Sequence, residues 1–174
     1  MKRNFRTCLY AGLLFLLPAA HQNATAAEVV ALGASGVQGV GVSASETWPA
    51  ILQEMLRARG INVTVKNAGI GGQTSAEILY RAEYALDGDT KVVLLMVGGN
   101  DLVKGGNKKT RATNIQEIMQ RLKARGVTVI MAGHAYAGLN KQTQISVDGR
   151  HPNAAGNRAI AARLLPQVAG AMRR

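Results

Sequence analysis

The most constraining feature of this sequence is a nearly uninterrupted apolar run at residues 91–97 (KVVLLMV). A strand that is apolar on both faces is typical of the centre of a parallel sheet, where helices cover both sides. Three further strand-like runs occur at residues 29–32, 61–66 and 127–132. Helical stretches alternate with these runs along the chain. The alternation predicts an α/β fold built on a parallel sheet of about four strands.

The helical stretches are recognised by apolar residues at helical spacing and by residues that end helices. Trp48, Ile51, Leu52 and Leu56 follow that spacing, and Gly60 ends the pattern. Four helices are predicted: residues 45–59, a segment capped by residue 74 or 75, residues 113–125, and residue 153 to about 172. Each strand therefore ends in a loop that contains glycine and polar residues. Because parallel strands end at one edge of a sheet, a ligand site is expected there.

The N-terminal segment has the pattern of a secretory signal peptide. Lys2, Arg3 and Arg6 precede an apolar run at residues 8–17, and Ala-Thr-Ala follows at residues 24–26. Ten apolar residues fall short of the roughly 20 that a membrane-spanning helix needs, although an uncleaved anchor is the alternative. The sequence thus predicts a signal peptide at residues 1–26, a single domain at residues 27–174, and a secreted or periplasmic location. The only cysteine, Cys8, lies in the predicted signal peptide.

Charge and composition limit the partners that this chain is expected to have. The formal net charge is +11, or +8 without the predicted signal peptide. This charge favours anionic surfaces, so peripheral contact with an anionic membrane remains open. No aromatic residues are interleaved with the cations, and nucleic-acid binding is not expected. With two histidines and no cysteine after residue 26, and no H-E-x-x-H motif, a zinc site is not expected. Nothing in the sequence indicates an oligomeric state.

Two loops carry residues suited to nucleophilic catalysis. Asp148 precedes His151 by three residues across a glycine-containing turn, so its carboxylate can reach back to one ring nitrogen. Ser35 follows the first strand directly, at the expected edge of the sheet. Taken singly, these patterns also fit a surface turn and a turn or capping serine. His134, at the end of the fourth strand, is a second candidate base and is interpreted as a residue at the rim of the site.

Two further loops could donate hydrogen bonds to a ligand. Asn100 lies in Gly-Gly-Asn-Asp at residues 98–101, directly after the central strand. A glycine-rich stretch at residues 67–75 (NAGIGGQTS) follows the second strand. Backbone N–H groups and an amide side chain can stabilise a developing oxyanion. An ordinary turn is the alternative for either loop.

Together, these four segments resemble the SGNH/GDSL hydrolase family, which has Ser, Gly, Asn and His blocks in this chain order. The resemblance implies that Ser35 is the nucleophile, His151 the general base and acid, and Asp148 the residue that orients His151. It also implies an oxyanion hole formed by the backbone N–H groups of Ser35 and Gly72 and by the Asn100 side chain. The implied fold has three layers, α/β/α, with a shortened flavodoxin-like sheet.

The resemblance further implies a serine esterase that needs no cofactor. Its expected partners are small-molecule or lipid esters, including lysophospholipids, other acyl esters and thioesters, and it would act through an acyl-enzyme. A non-catalytic protein that binds an acylated glycan or lipid on the same fold is the alternative. A dinucleotide-like match at residues 39–44 (GVGVSA) starts six residues after Gly33, where the first strand ends, and is interpreted as chance.

Two departures from the family pattern bear on activity and substrate. Ala34 stands where the family has aspartate in its Gly-Asp-Ser block. Only 15 residues, 133–147, separate the fourth strand from Asp148, and residues 136–146 are mostly polar and loop-like. This interval is too short for a helical crossover to a further parallel strand. A sheet of four strands with a more open substrate pocket is therefore expected.

Overall fold

The computed structural model describes residues 27–173, so the predicted signal peptide lies outside the described residues. The strands are β1 (Ala27–Gly33), β2 (Val63–Gly69), β3 (Thr90–Met96) and β4 (Thr128–Met131). The helices are α1 (Ser35–Gln38), α2 (Trp48–Arg57), α3 (Ser75–Arg81), α4 (Asn100–Val103), α5 (Lys108–Ala124), α6 (Gly133–Ala137) and α7 (Ala154–Ala171).

The four strands form one parallel sheet in the order β2-β1-β3-β4. Val29 of β1 pairs with Val65 on one side and with Val92 on the other. Within residues 27–173 no named strand follows β4, and only an isolated antiparallel bridge joins Ile145 to Pro152. The predicted α/β fold with a four-stranded parallel sheet is confirmed.

Side-chain alternation along the strands separates two apolar layers. Val29 and Ala31 of β1 pack with α2 and α7 on one face of the sheet, whereas Val30 and Leu32 pack with α3 and α5 on the other. The central strand β3 is buried almost throughout, with only Lys91 exposed. The layers are therefore α/β/α, as the resemblance implied.

Several element boundaries differ from those predicted. Residues 44–46 form a separate 3₁₀ turn, and α2 begins at Trp48 with Pro49 in its first turn. Strand β2 begins two residues later than predicted and continues to Gly69. Helix α5 begins five residues before residue 113, because the Asn107 side chain accepts a hydrogen bond from the Thr110 N–H at 2.9 Å and caps it.

The interval after β4 is less irregular than predicted. Residues 133–137 form the short helix α6, so residues 136 and 137 are helical and not loop. The dinucleotide-like segment at residues 39–44 starts at the residue that follows α1 and forms a turn that leads into the 3₁₀ turn, so it is not a strand-to-helix loop. None of the helices within residues 27–173 is both long and apolar enough to span a membrane.

Candidate active site

A cleft of about 880 Å³ lies among the loops at the carboxyl edge of the sheet. Four of the five predicted site residues line it: Ser35, Gly72, Asn100 and His151. The fifth, Asp148, is bonded to His151. The structure therefore brings together residues that are more than 100 positions apart in the sequence.

Ser35 is placed by a close approach between β1 and β3. A Cβ atom on Gly33 would lie 2.3 Å from the Met96 carbonyl oxygen, so only glycine allows this approach. Ser35 is the first residue of α1, and Ala34 occupies the capping position without a side-chain cap. Ser35 therefore does not cap the helix. Its backbone N–H lies in the first turn, where such groups have no acceptor within the helix.

Asp148 and His151 form a hydrogen-bonded pair across a tight turn. His151 Nδ1 lies 2.5 Å from Asp148 Oδ2, and Asp148 Oδ1 accepts the backbone N–H groups of Arg150 at 2.9 Å and His151 at 3.0 Å. The His151 and Arg150 backbone N–H groups, followed by the His151 ring, hold the pKa of Asp148 well below its ordinary value. Asp148 is thus a carboxylate that fixes the Nδ1–H tautomer, and Nε2 is the ring nitrogen left for the cleft.

No hydrogen bond joins the Ser35 hydroxyl to His151 within the described part of the chain. Both residues nevertheless line the same cleft. In unliganded enzymes such bonds are often long and shorten when substrate binds, so the arrangement is compatible with proton transfer.

Asn157 holds the histidine loop against the rest of the fold. It is fully buried in α7, where its Oδ1 accepts the Trp48 N–H at 2.9 Å and its Nδ2 donates to the Pro152 carbonyl at 3.1 Å. Sequence reasoning missed this residue. The available signal was an asparagine on the apolar face of the helix, three and four residues before Ile160 and Ala161.

Asn100 is the first residue of α4, and its side chain is held in one orientation. Nδ2 donates to the Gln73 carbonyl at 2.8 Å, which uses one of its two N–H bonds. The other N–H remains available to a ligand. Gly72 precedes Gln73 and has a φ of +77°, a left-handed conformation that favours glycine.

Arg81 supports this loop from α3. Its Nε donates to Gln73 Oε1 at 2.7 Å, and its Nη2 donates to the carbonyls of Gly33 and Ala68, each at 2.9 Å. Burial lowers the pKa of this guanidinium, although arginine remains charged. One side chain therefore ties the ends of β1 and β2 to the segment that holds Asn100. Sequence reasoning missed Arg81, because a helical pattern does not show which groups the end of a long side chain contacts.

Asp101 has a structural role beside the site. This buried carboxylate accepts the Ser75 N–H at 3.0 Å and the Ser75 hydroxyl at 2.5 Å, and Asn114 Nδ2 donates to the same hydroxyl. The second half of the Gly-Gly-Asn-Asp motif therefore anchors its loop to the start of α3. Asn100, the residue before it, is left to face the cleft.

Two other residues, Ala34 and Tyr136, line the cleft beside the predicted site residues. Ala34 is 3% exposed and packs in the apolar layer with α3 and α5. Tyr136 lines the cleft, and burial, followed by the charge of Asp148, raises the pKa of its phenol.

His134, the second candidate base in the sequence, does not line the cleft. Its ring bonds the Met131 carbonyl and the Gln167 amide. Residues 27–173 contain no cluster of three or more His, Cys, Asp or Glu side chains that could hold a metal ion.

The chain is similar to known proteins over most of its length. The profile of the GDSL-like Lipase/Acylhydrolase family matches residues 31–143. An arylesterase of Vibrio mimicus is 32% identical over 120 residues, which are 68% of this chain and 59% of that protein. Esterase TesA of Pseudomonas aeruginosa is 32% identical over 129 residues, which are 74% of this chain and 64% of that protein. This chain therefore spans about three fifths of the length of these curated relatives.

Solved structures share the fold. The crystal structure of TesA has a TM-score of 0.71 at 23% identity and covers 81% of this chain and 97% of that chain. AlinE4, an SGNH-hydrolase family esterase, has a TM-score of 0.62 at 25% identity and covers 83% of this chain and 95% of that chain. The family profile ends before Asp148 and His151, so the roles of these two residues depend on the geometry described above. The profile match and the shared fold confirm the resemblance seen in the sequence: this chain belongs to the GDSL-like lipase/acylhydrolase family.

Proposed function

We propose that this protein is a serine esterase that hydrolyses carboxylic esters through an acyl-enzyme formed on Ser35. The observation that carries the proposal is the convergence of Ser35 and the Asp148-bonded His151 on one cleft. Family membership and curated relatives named as esterases support the same class of reaction.

In the proposed first step, Ser35 Oγ attacks the ester carbonyl carbon while its proton passes to His151 Nε2. The bond from that carbon to the leaving oxygen then breaks, and this oxygen takes the proton from His151. Water attacks the acyl-enzyme with His151 again as the base, which releases the carboxylic acid and restores the Ser35 hydroxyl. Asp148 keeps the ring in the Nδ1–H tautomer throughout and stabilises the imidazolium.

The charge that develops on the carbonyl oxygen needs donors that are already in place. The proposed oxyanion hole consists of the backbone N–H groups of Ser35 and Gly72 and the free N–H of Asn100. Its preorganisation is supported by the Asn100 bond to Gln73, which Arg81 holds in turn. Donors that need no reorganisation during the reaction contribute more than mobile ones.

The cleft lining supports an acyl substrate. Met96, Val97, Val103 and Tyr136 contribute apolar surface beside the proposed nucleophile. A volume of about 880 Å³ lies within the usual range for small-molecule sites. Carboxylic esters, including lysophospholipids and thioesters, are the proposed substrate class. One curated relative, from Escherichia coli, is named thioesterase 1/protease 1/lysophospholipase L1.

The surroundings of the cleft support contact with an anionic membrane surface. Five exposed apolar residues line the cleft or lie within two positions of its lining: Val40, Ile70, Leu102, Val103 and Val147. Four basic residues lie close together in the sequence at positions 104, 108, 109 and 111, and one of them, Arg111, lines the cleft. Sedimentation with neutral and with phosphatidylglycerol-containing vesicles tests this contact; binding that requires the anionic lipid supports it, and no binding to either contradicts it.

The proposed location is secreted or periplasmic, after cleavage of residues 1–26. N-terminal sequencing of protein recovered from the cell envelope or the medium tests this directly. A chain that starts at Ala27 is expected, and a chain that still begins at Met1 would contradict the proposal.

The experiment that tests the proposed reaction is hydrolysis of p-nitrophenyl esters of increasing acyl length. The protein and its Ser35→Ala variant are compared at the same concentration, with circular dichroism as a check on folding. Turnover that disappears in the variant is expected, and the dependence on acyl length then describes the pocket. Folded protein without turnover would instead favour the non-catalytic binding protein.

A further inference from the structure

Two arginines line the cleft, and none of the described residues around it contributes a carboxylate. Arg111 and Arg150 both contribute to its surface, whereas no Asp or Glu is among the described residues that line it. Neither arginine takes part in an ion pair within residues 27–173. The carboxylate next to the cleft, Asp148, already accepts three hydrogen bonds. The cleft therefore has positive charge that the described chain does not neutralise.

Arg111 is the more constrained of the two. Its Nη2 donates to the Val97 carbonyl at 2.8 Å, and its Nε is buried without a hydrogen-bond partner. Arg150 is exposed, so water can solvate its charge. Leaving a donor of a charged group buried and unpaired is costly. A guanidinium that is half-buried at a cleft and lacks its full set of acceptors is a place where an anion would bind.

The position of Arg111 near the start of α5 does not stabilise the helix. Arg111 lies in the first turns of α5 with Lys108 and Lys109, and the first turn of that helix has no acidic residue. Cations at the positive end of a helix dipole are unfavourable. An anion held by Arg111 would reduce this repulsion as well as satisfy the guanidinium.

We propose that Arg111 binds a carboxylate or phosphate group carried by the substrate, so that the preferred esters are anionic. This inference rests on the proposed function, because it assigns a substrate class to the same cleft. Arginine suits the role, since its planar fork can donate two parallel hydrogen bonds to either group. Arg150 precedes His151 and contributes a second, solvated positive charge.

The test uses two pairs of esters that differ only in an anionic group. Phenyl acetate is compared with 4-acetoxybenzoate, which carries the charge on the leaving group. 4-Nitrophenyl hexanoate is compared with mono-4-nitrophenyl adipate, which carries it at the end of the acyl chain. The neutral member of each pair reports any general loss of activity. The ratio of kcat/KM within a pair is therefore insensitive to a purely structural effect.

Three variants separate the effect of the Arg111 charge from the effects of side-chain shape and of net charge. Arg111→Gln removes the charge but keeps an N–H₂ donor on the side chain, and Arg111→Lys keeps the charge without the fork. Lys123→Gln, an exposed residue in the last turn of α5, makes the same change in net charge away from the cleft.

The wild-type protein is expected to prefer the anionic member of at least one pair. Arg111→Gln should lower kcat/KM for that ester by about 10- to 100-fold, mainly through KM, because hydrogen bonds to charged groups are of that strength. The neutral ester should change by much less, Arg111→Lys should lie between, and Lys123→Gln should behave as wild type. Equal rates on charged and neutral esters in both wild type and Arg111→Gln would overturn this inference and leave the proposed function intact. Hydrolysis of none of the four esters would overturn both.

Discussion

The Asp148→Asn substitution tests the proposed role of the Asp148–His151 pair. In the structure, Asp148 Oδ1 accepts two backbone N–H groups while Oδ2 bonds His151 Nδ1. Asparagine can keep the first two bonds, so its N–H₂ group would face the ring. The ring must then accept at Nδ1 and carry its proton at Nε2. A histidine in that tautomer cannot accept the Ser35 proton.

The expected loss is large for activity and small for stability. A histidine locked in the wrong tautomer typically costs about 10⁴ in kcat, which corresponds to about 5 kcal/mol of transition-state stabilisation. Asp148 is exposed, and asparagine can keep its two backbone hydrogen bonds, so only the small stabilisation from the carboxylate charge is lost and the melting temperature at neutral pH should fall slightly. Activity should therefore fall without unfolding.

The assay is steady-state hydrolysis of a p-nitrophenyl ester at constant pH, with thermal denaturation of each variant. Asp89→Asn is the matched control, since Asp89 is an exposed aspartate outside the cleft. A folded Asp148→Asn protein with kcat within tenfold of wild type would refute the tautomer argument and the assignment of Asp148.

Three further outcomes are expected. Asn100→Ala removes one of the proposed oxyanion donors and should lower kcat by a factor of about 10²–10³, with a smaller change in KM; an unchanged kcat in steady-state kinetics would contradict the proposed role of Asn100. Asn157→Ala leaves the buried Trp48 N–H and the Pro152 carbonyl without this partner and should lower the free energy of unfolding by about 2–4 kcal/mol in urea titrations; a loss below 0.5 kcal/mol would contradict that reading. Because folding lowers the pKa of Asp148, its stabilising contribution is complete above the ordinary value of 3.8 and is lost as the pH falls toward the lowered value. The stability difference between wild type and Asp148→Asn should therefore shrink below pH 3.8 in thermal scans, and a constant difference down to pH 2 would contradict this.

The fold could be predicted because its signals are local. A continuous apolar run such as residues 91–97 is typical of a central strand that is covered on both faces. In a parallel sheet, the loop that follows each strand lies at the carboxyl edge of the sheet. Ser35 and Asn100 were predicted from their positions directly after strands, whereas Gly72 was identified by the family resemblance, within the glycine-rich loop after the second strand. Asp148 and His151 were predicted from a three-residue spacing that a single turn can close.

The supporting residues could not be predicted, because their contacts are long-range. Arg81 bonds the Gly33 carbonyl, 48 positions away, and Asn157 bonds the Trp48 N–H, 109 positions away. Neither contact leaves a periodic pattern in the sequence. The early start of α5 was missed for a different reason: its first turn is polar, so only the Asn107 cap marks it.

The identity of the nucleophile is the central claim, and covalent labelling tests it most directly. The protein is treated with a p-nitrophenyl alkylphosphonate, which reacts with an activated serine, and its peptides are then analysed by mass spectrometry. One phosphonyl group on the peptide that contains Ser35 is expected, together with complete loss of esterase activity. Ser35→Ala should take up no label, and His151→Ala should take it up far more slowly than wild type. Stoichiometric labelling of a different residue, or esterase activity that survives in Ser35→Ala, would contradict the account.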